Sequence, residues 1–410
     1  GIRYLPRSRG LGDVYKRQVN QVNEQYIDAR FNVAFSTMEK LKTYLPYSIM
    51  SSKLEAWLKS SLLGGRDITV NGEVRGLYQD FPFNKQNGKL SVKANVKDAV
   101  LKYNSEWPVL NKFDADILFT PFRLDIDVAK LQLGAGNIAR DVKVAIPDLN
   151  QKDIALRVSG KVDSKLGNVI DYLTLSPIAE KVGIKSFLQN NATYSGQASV
   201  EIDEIWVPIS GLKDKKEKVS GKVFLSDASI KLVDQLEFSK LKGMLSFTED
   251  AISSQKITFD VLGGSGQLKV LTNKKSREVK LSAKGVALKS SNSWFEKPVE
   301  WTSNLVIPFK PAKRKGLDLQ ASFNLDKAVS KLPSPMDVQG LVGKSVILEA
   351  ELGDKSVLAS LELSRIAQVK LLWKEGEKNY QLQSLQTYLG GEGQKATQSK
   401  QHDSYIKGAL

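Results

Sequence analysis

The chain has no cysteine and only one histidine in 410 residues. Without thiols there are no disulfides, no cysteine-bound zinc and no thiolate nucleophile. His402 lies in the polar tail GGEGQKATQSKQHDSYIKGAL, whose composition reads as disordered. No Ser/His/Asp or Cys/His set can be assembled around it. No run approaches the roughly 18 apolar residues of a membrane-spanning helix. No signal-peptide pattern of charge, apolar core and small-residue cleavage site is visible. Gly263-Gly264-Ser265-Gly266 lacks the Lys-Ser/Thr and following helix of a phosphate loop, so it reads as a turn or bulge. Asp114 and Asp116, like Asp125 and Asp127, occupy alternate strand positions, which puts each pair on a solvated face rather than in a catalytic or metal centre. No catalytic, cofactor or metal site is expected.

What the chain does have is alternation. Residues 88–120 read GKLSVKANVKDAVLKYNSEWPVLNKFDADILFT. Leu90, Val92, Ala94 and Val96 point one way, and Lys89, Ser91, Lys93 and Asn95 the other. Period two predicts a strand with one dry face and one wet face. Asp98-Ala99 breaks the run, and Trp107-Pro108 turns the chain.

The pattern recurs. Residues 221–232 read GKVFLSDASIKL, with Asp227-Ala228 in the place of Asp98-Ala99. Phe119-Thr120 returns as Phe247-Thr248 after 128 positions, and Leu133-Gly134 as Leu262-Gly263 after 129. A weaker third copy at 316–332 puts Asp326 in the aspartate slot. An apolar-Pro-apolar triplet precedes each copy: Phe81-Pro82-Phe83, Val207-Pro208-Ile209 and Ile307-Pro308-Phe309. A repeat of about 129 residues predicts an array of one long β module.

Residues 44–172 form the first expected module, 173–300 the second, and 301–388 a short or truncated third. Residues 19–43 read as the remnant of a preceding module and 389–410 as a polar disordered tail. Residues 1–18, basic and aperiodic, resemble a translated sequencing-adapter scar and are set apart from the fold. Without them the net charge of +15 falls to about +11. The true start of the protein is expected to be missing. Helical spacing appears at 51–63, ended by Gly64-Gly65, and at 176–189, opened by Pro177.

About fifteen strands each offer an apolar face, and two short helices cannot cover them all. Each large apolar side chain left in water forfeits roughly 1.5–3 kcal/mol. A sheet folded over on itself and a curved open sheet covered by another apolar body both resolve this, and periodicity does not separate them. The basic excess is mostly lysine at outward strand positions, scattered rather than striped. That suits a solvated face which discourages edge pairing, and nucleic acid is not an expected partner.

The motifs together have a precedent. Leu63-Gly64-Gly65, Asp80-Phe81-Pro82-Phe83, Trp107-Pro108-Val109-Leu110 and Val144-Ala145-Ile146-Pro147-Asp148 resemble, in order and spacing, the YhdP proteins. Ser176-Pro177 and Leu332-Pro333-Ser334-Pro335 fit the same template. The resemblance covers roughly residues 44–340. It implies a member of the AsmA-like group, which also includes TamB, in the Gram-negative envelope. The implied fold is all-β with a few short helices: a long, twisted antiparallel sheet forming a repetitive groove. The implied role is passive, non-enzymatic movement of phospholipid between inner and outer membrane. The implied setting is the periplasm, with an inner-membrane anchor outside this sequence. Expected partners are acyl chains, the two membranes and other envelope proteins. The alternative is a scaffold that assists outer-membrane protein assembly. Candidate groove-lining residues are Leu90, Val92, Val96, Leu124, Ile126, Val128, Val142, Val144, Ile146, Ile257, Phe259, Val261, Leu317, Leu319 and Phe323.

Overall fold

The structure, a computed structural model, describes residues 15–17, 20–21, 24–47, 50–105, 107–134, 136–175, 192–210, 216–233, 236–261, 263–273, 275, 278–287, 299–308, 317–326, 345–352, 356–363, 367–375 and 380–389. It is an antiparallel β protein with a few short helices. Two compact units divide it. Unit 1 gathers 1–177, 197–224 and 246–249; unit 2 gathers 178–196, 225–245 and 250–410.

Unit 1 contains β1 (Tyr15–Arg17), β2 (Asn20–Gln21), β3 (Glu24–Thr37), α1 (Met38–Lys42), α2 (Ser52–Ser61), β4 (Leu62–Leu77) and β5 (Gly88–Leu101). It continues with β6 (Leu110–Phe119), β7 (Leu124–Leu133), β8 (Asn137–Ile146), β9 (Ile154–Lys165), α3 (Leu166–Leu175) and most of β10 (Thr193–Ser210). From β3 to β10 each strand pairs antiparallel with the next. Short connections between alternating segments favour this arrangement. β1, inside the stretch set apart as foreign, pairs with β3 through Tyr15↔Arg30 and Arg17↔Asp28.

β11 (Lys218–Val233) and β12 (Leu236–Thr248) have residues in both units. Unit 2 then runs through β13 (Ile252–Val261), β14 (Gly264–Asn273), β15 (Glu278–Ala287), β16 (Val299–Pro308) and β17 (Leu317–Asn324). It ends with β18 (Ser345–Leu352), β19 (Ser356–Leu363), β20 (Ala367–Glu375) and β21 (Tyr380–Leu389). These too pair antiparallel in chain order.

The aspartates expected to break strands instead bend them. Asp98 sits within β5 at φ 47° and Asp227 within β11 at φ 52°. Lys112 and Lys240 follow, both at φ 51°, and Gly134 and Gly263 at 62° and 71°. Left-handed residues inside strands mark bulges, and aspartate tolerates that region better than most residues. Around Asp98 the register slips between Val96 and Ala99, yet both side chains are buried. Asp326, in the weaker third copy, lies just after β17 and is not among the left-handed residues.

α2 is capped as its sequence suggests: the Ser51 hydroxyl accepts a hydrogen bond from Leu54 N at 3.3 Å. Gly64-Gly65 do not end that helix. It stops at Ser61, and both glycines lie within β4, where the register with β5 shifts. α3 is not among the expected helices, although Leu166, Val169, Ile170 and Leu173 in LGNVIDYLTL keep helical spacing. The helix expected at 176–189 lies outside the described residues.

Candidate functional site

Cross-strand register assembles the apolar positions into transverse rows. In unit 1 one row runs Val33↔Val70↔Ala94↔Ile117↔Ile126↔Val144↔Val158↔Ile205, across β3 to β10 without a polar interruption. All eight are half-buried, and none is fully covered. Because the side-chain period is two, the next row on this face lies two residues along each strand. It runs Phe31↔Gly72↔Val92↔Phe119↔Leu124↔Ile146.

This strip is bounded by better-buried groups. On the helix side, Met38, Ile68, Val96, Phe113, Val128 and Leu131 belong to one buried cluster. Beyond it, the Trp57 indole donates to the Tyr103 carbonyl at 3.1 Å. The Trp107 ring lies 6.0 Å from Tyr103 and 6.5 Å from Tyr172. Burial pushes both phenols above the ordinary tyrosine range. On the other side Phe83 is fully buried. A Cβ on Gly76 or Gly88 would come within 2.4 or 2.2 Å of its ring, so glycine is required beneath it.

Nine of the expected lining residues lie on this face. Leu90, Val92, Leu124, Ile126, Val142 and Val144 are half-buried; Val96, Val128 and Ile146 are buried. In unit 2, Ile257, Phe259 and Val261 are 2%, 4% and 4% exposed. The row Phe259↔Gly266↔Gly285↔Trp301↔Phe323 places Phe259 and Phe323 at its two ends, on one face. Leu319 lies four residues along β17 from Phe323, on the same face, opposite Leu305 and Ala350. Leu317 pairs with Leu352 through its backbone, and its side chain is outside the described residues.

Sequence reasoning missed Trp301. Its ring covers Gly266 and Gly285, it is 7% exposed, and its Nε1 has no hydrogen-bond partner among the described residues. The signal was there in Val299, Trp301, Leu305 and Ile307, which alternate with Glu300, Thr302, Asn304 and Val306. Among the described residues no three His, Asp or Glu side chains cluster as metal ligands, and no helix is long and apolar enough to cross a membrane.

The family profile described as "YhdP protein" matches residues 14–410. The chain belongs to the YhdP family. A curated member, the Intermembrane phospholipid transporter YhdP of Escherichia coli (strain K12), is 22% identical over 307 residues. That match covers 72% of this chain and 23% of the relative, so this YhdP-family chain spans about a quarter of the relative's length. No solved structure matches it.

Proposed function

We propose that this chain is a non-enzymatic, phospholipid-conducting segment in the Gram-negative envelope, and that the apolar face of unit 1 carries acyl chains. The observation behind it is the eight-residue row that runs from β3 to β10 with every member half-buried. A closed sheet would cover its central positions. A face left partly open suits a ligand that supplies the missing apolar contact. Burial releases roughly 0.8 kcal/mol per methylene, so a fatty tail covers such a strip favourably. The attraction is non-directional, so a tail can move along the row without breaking specific bonds. A headgroup would remain at the wet margin, because burying an ion without a partner is costly. The relative's name, an intermembrane phospholipid transporter, agrees with this reading.

Native mass spectrometry of the full chain, purified from a bacterial host, tests it. Bound phospholipid is expected, and Ile126→Asp with Val144→Asp should abolish it while circular dichroism stays unchanged. A folded, lipid-free wild type that fails to take up lipid after delipidation would overturn the proposal.

A further inference from the structure

The opposite face of unit 2 carries an unassigned feature. Between β13 and β16 the wet surface dips into a depression of about 610 Å³. Its lining includes Lys256, Lys269, Lys284, Gln267, Ser282 and Asn304, and no carboxylate. Register explains the grouping. Lys269 stands opposite Ser282 and Gln267 opposite Lys284, which makes the two lysines diagonal neighbours, roughly 7–8 Å apart across the strands. Lys256 comes from the bulge between Ser254 and Ile257 on β13. The Ser282 hydroxyl donates to Asn304 Oδ1 at 2.7 Å, which fixes that amide and leaves its Nδ2 free to donate. None of the three lysines has an ion pair among the described residues. The adjoining depression, which shares Gln267 and Lys284, contains both signs through Lys240, Asp260 and Glu300.

These lysines differ from isolated ones in sharing one depression with hydroxyl and amide groups. Elsewhere on the wet surface some cations stand against carboxylates, as in Lys89–Glu73 at 2.6 Å, Lys97–Asp114 at 2.7 Å and Lys161–Glu201 at 2.9 Å, while Lys93 and Lys130 have no ion pair among the described residues. No carboxylate lines this depression, although Lys284 also has Glu300 as a diagonal neighbour, and the three ammonium groups attract an anion into it. Amide donors and a hydroxyl beside them suit the several acceptor oxygens of a phosphate group.

We infer that this depression is a phosphate-binding site on the polar face of unit 2. The phosphate can belong to an anionic lipid headgroup at a membrane surface or to a soluble phosphorylated molecule. The site is independent of the apolar face, and Ile126→Asp should leave it unchanged.

The test uses the full chain at low ionic strength with two probes. One is inorganic pyrophosphate, followed by calorimetry. The other is flotation with phosphatidylglycerol-containing vesicles, with phosphatidylcholine vesicles as the control. Lys256→Gln, Lys269→Gln and Lys284→Gln together should weaken binding by about ten-fold or more, since each removes a charge-assisted donor. Lys89→Gln, Lys97→Gln and Lys161→Gln change the net charge equally and should cost less than about two-fold. Pyrophosphate binding lost in the first triple variant supports the site with a soluble ligand. Binding to phosphatidylglycerol vesicles alone, lost in the same variant, supports it with a headgroup. No binding of either probe, or equal loss in both triple variants, overturns it.

Discussion

In unit 1, cations on the polar face meet carboxylates across the strands. Arg66 contacts Asp98 at 2.6 Å, Lys97 contacts Asp114 at 2.7 Å, and Asp114 also accepts from Asp98 N at 3.1 Å. In unit 2, Lys240 pairs with Asp260 at 2.8 Å, but Lys256, Lys269 and Lys284 face hydroxyls and amides. The apolar faces differ as well. Unit 1 keeps its middle row half-open, whereas unit 2 lays Phe259 and Trp301 over glycines and buries both. The same period-two alternation underlies all four surfaces. Alternation decides which side of the sheet a residue occupies, while register decides whom it meets there.

The sharpest way to break this contrast is to put a charge on each apolar face. Ile257→Asp, at a position 2% exposed, should destabilise unit 2 by about 3–5 kcal/mol or unfold it, because a buried unpaired ion is so costly. Ile126→Asp should cost less than half as much, since its site is half-open. Urea denaturation of the two variants measures the difference, and equal losses would show that the faces are equally closed.

Aromatic-on-glycine packing comes next. Phe83→Ala should cost about 3–5 kcal/mol in the same assay. Gly88→Ala alone should also destabilise, because its Cβ would lie 2.2 Å from the Phe83 ring. In the double variant the Gly88→Ala penalty should largely vanish, a coupling that a mutant cycle reads directly.

The bulges give a smaller and opposite effect. Asp227→Gly relieves a left-handed backbone at φ 52° and should stabilise unit 2 by up to about 1 kcal/mol. Asp98→Gly should gain less, because it also loses the Arg66 contact at 2.6 Å. Thermal melts of the two variants test the ranking.

The smallest effect concerns pH. The Lys89 ammonium and then the Arg30 guanidinium hold the Glu73 carboxyl below its ordinary range. Lys97, then the Asp98 backbone, does the same for Asp114. A depressed carboxyl contributes stability above its unfolded pKa, about 4, and loses it as pH falls through the lower folded value. Asp114 is exposed and Glu73 is open to solvent on one side, so the melting temperature should fall only slightly in that acid window. NMR titration of Glu73 and Asp114 in wild type and Lys89→Gln would show the shift directly, and an unmoved Glu73 midpoint would contradict it.

The strands were legible because Leu90, Val92, Ala94 and Val96 leave no other period, and β5 contains them all. The bulge at Asp98 was legible only as an interruption, since sequence does not distinguish a strand that ends from one that gains a residue. α3 does carry a helical stripe in Leu166, Val169, Ile170 and Leu173, but it follows β9 with no residue between, so the change of period is hard to place. The face of each candidate lining residue could be read from parity. Its exposure could not, because cover comes from distant groups such as Met38 and Phe83. The lysine depression was invisible for a similar reason: Lys256, Lys269 and Lys284 are scattered in the chain and gathered only by register.

The left-handed positions recur at Asp98 and Asp227, 129 residues apart. That spacing makes length a trait inherited in whole units. Excising residues 99–227 would join Asp98 to Ala228, and every later apolar side chain would keep its side of the sheet. Excising one residue more would turn the apolar side chains in the rest of that strand toward water. A product built this way can be lengthened or shortened by a complete block without moving its apolar side chains to the wrong face. Reach could then change over generations without any new surface having to be invented.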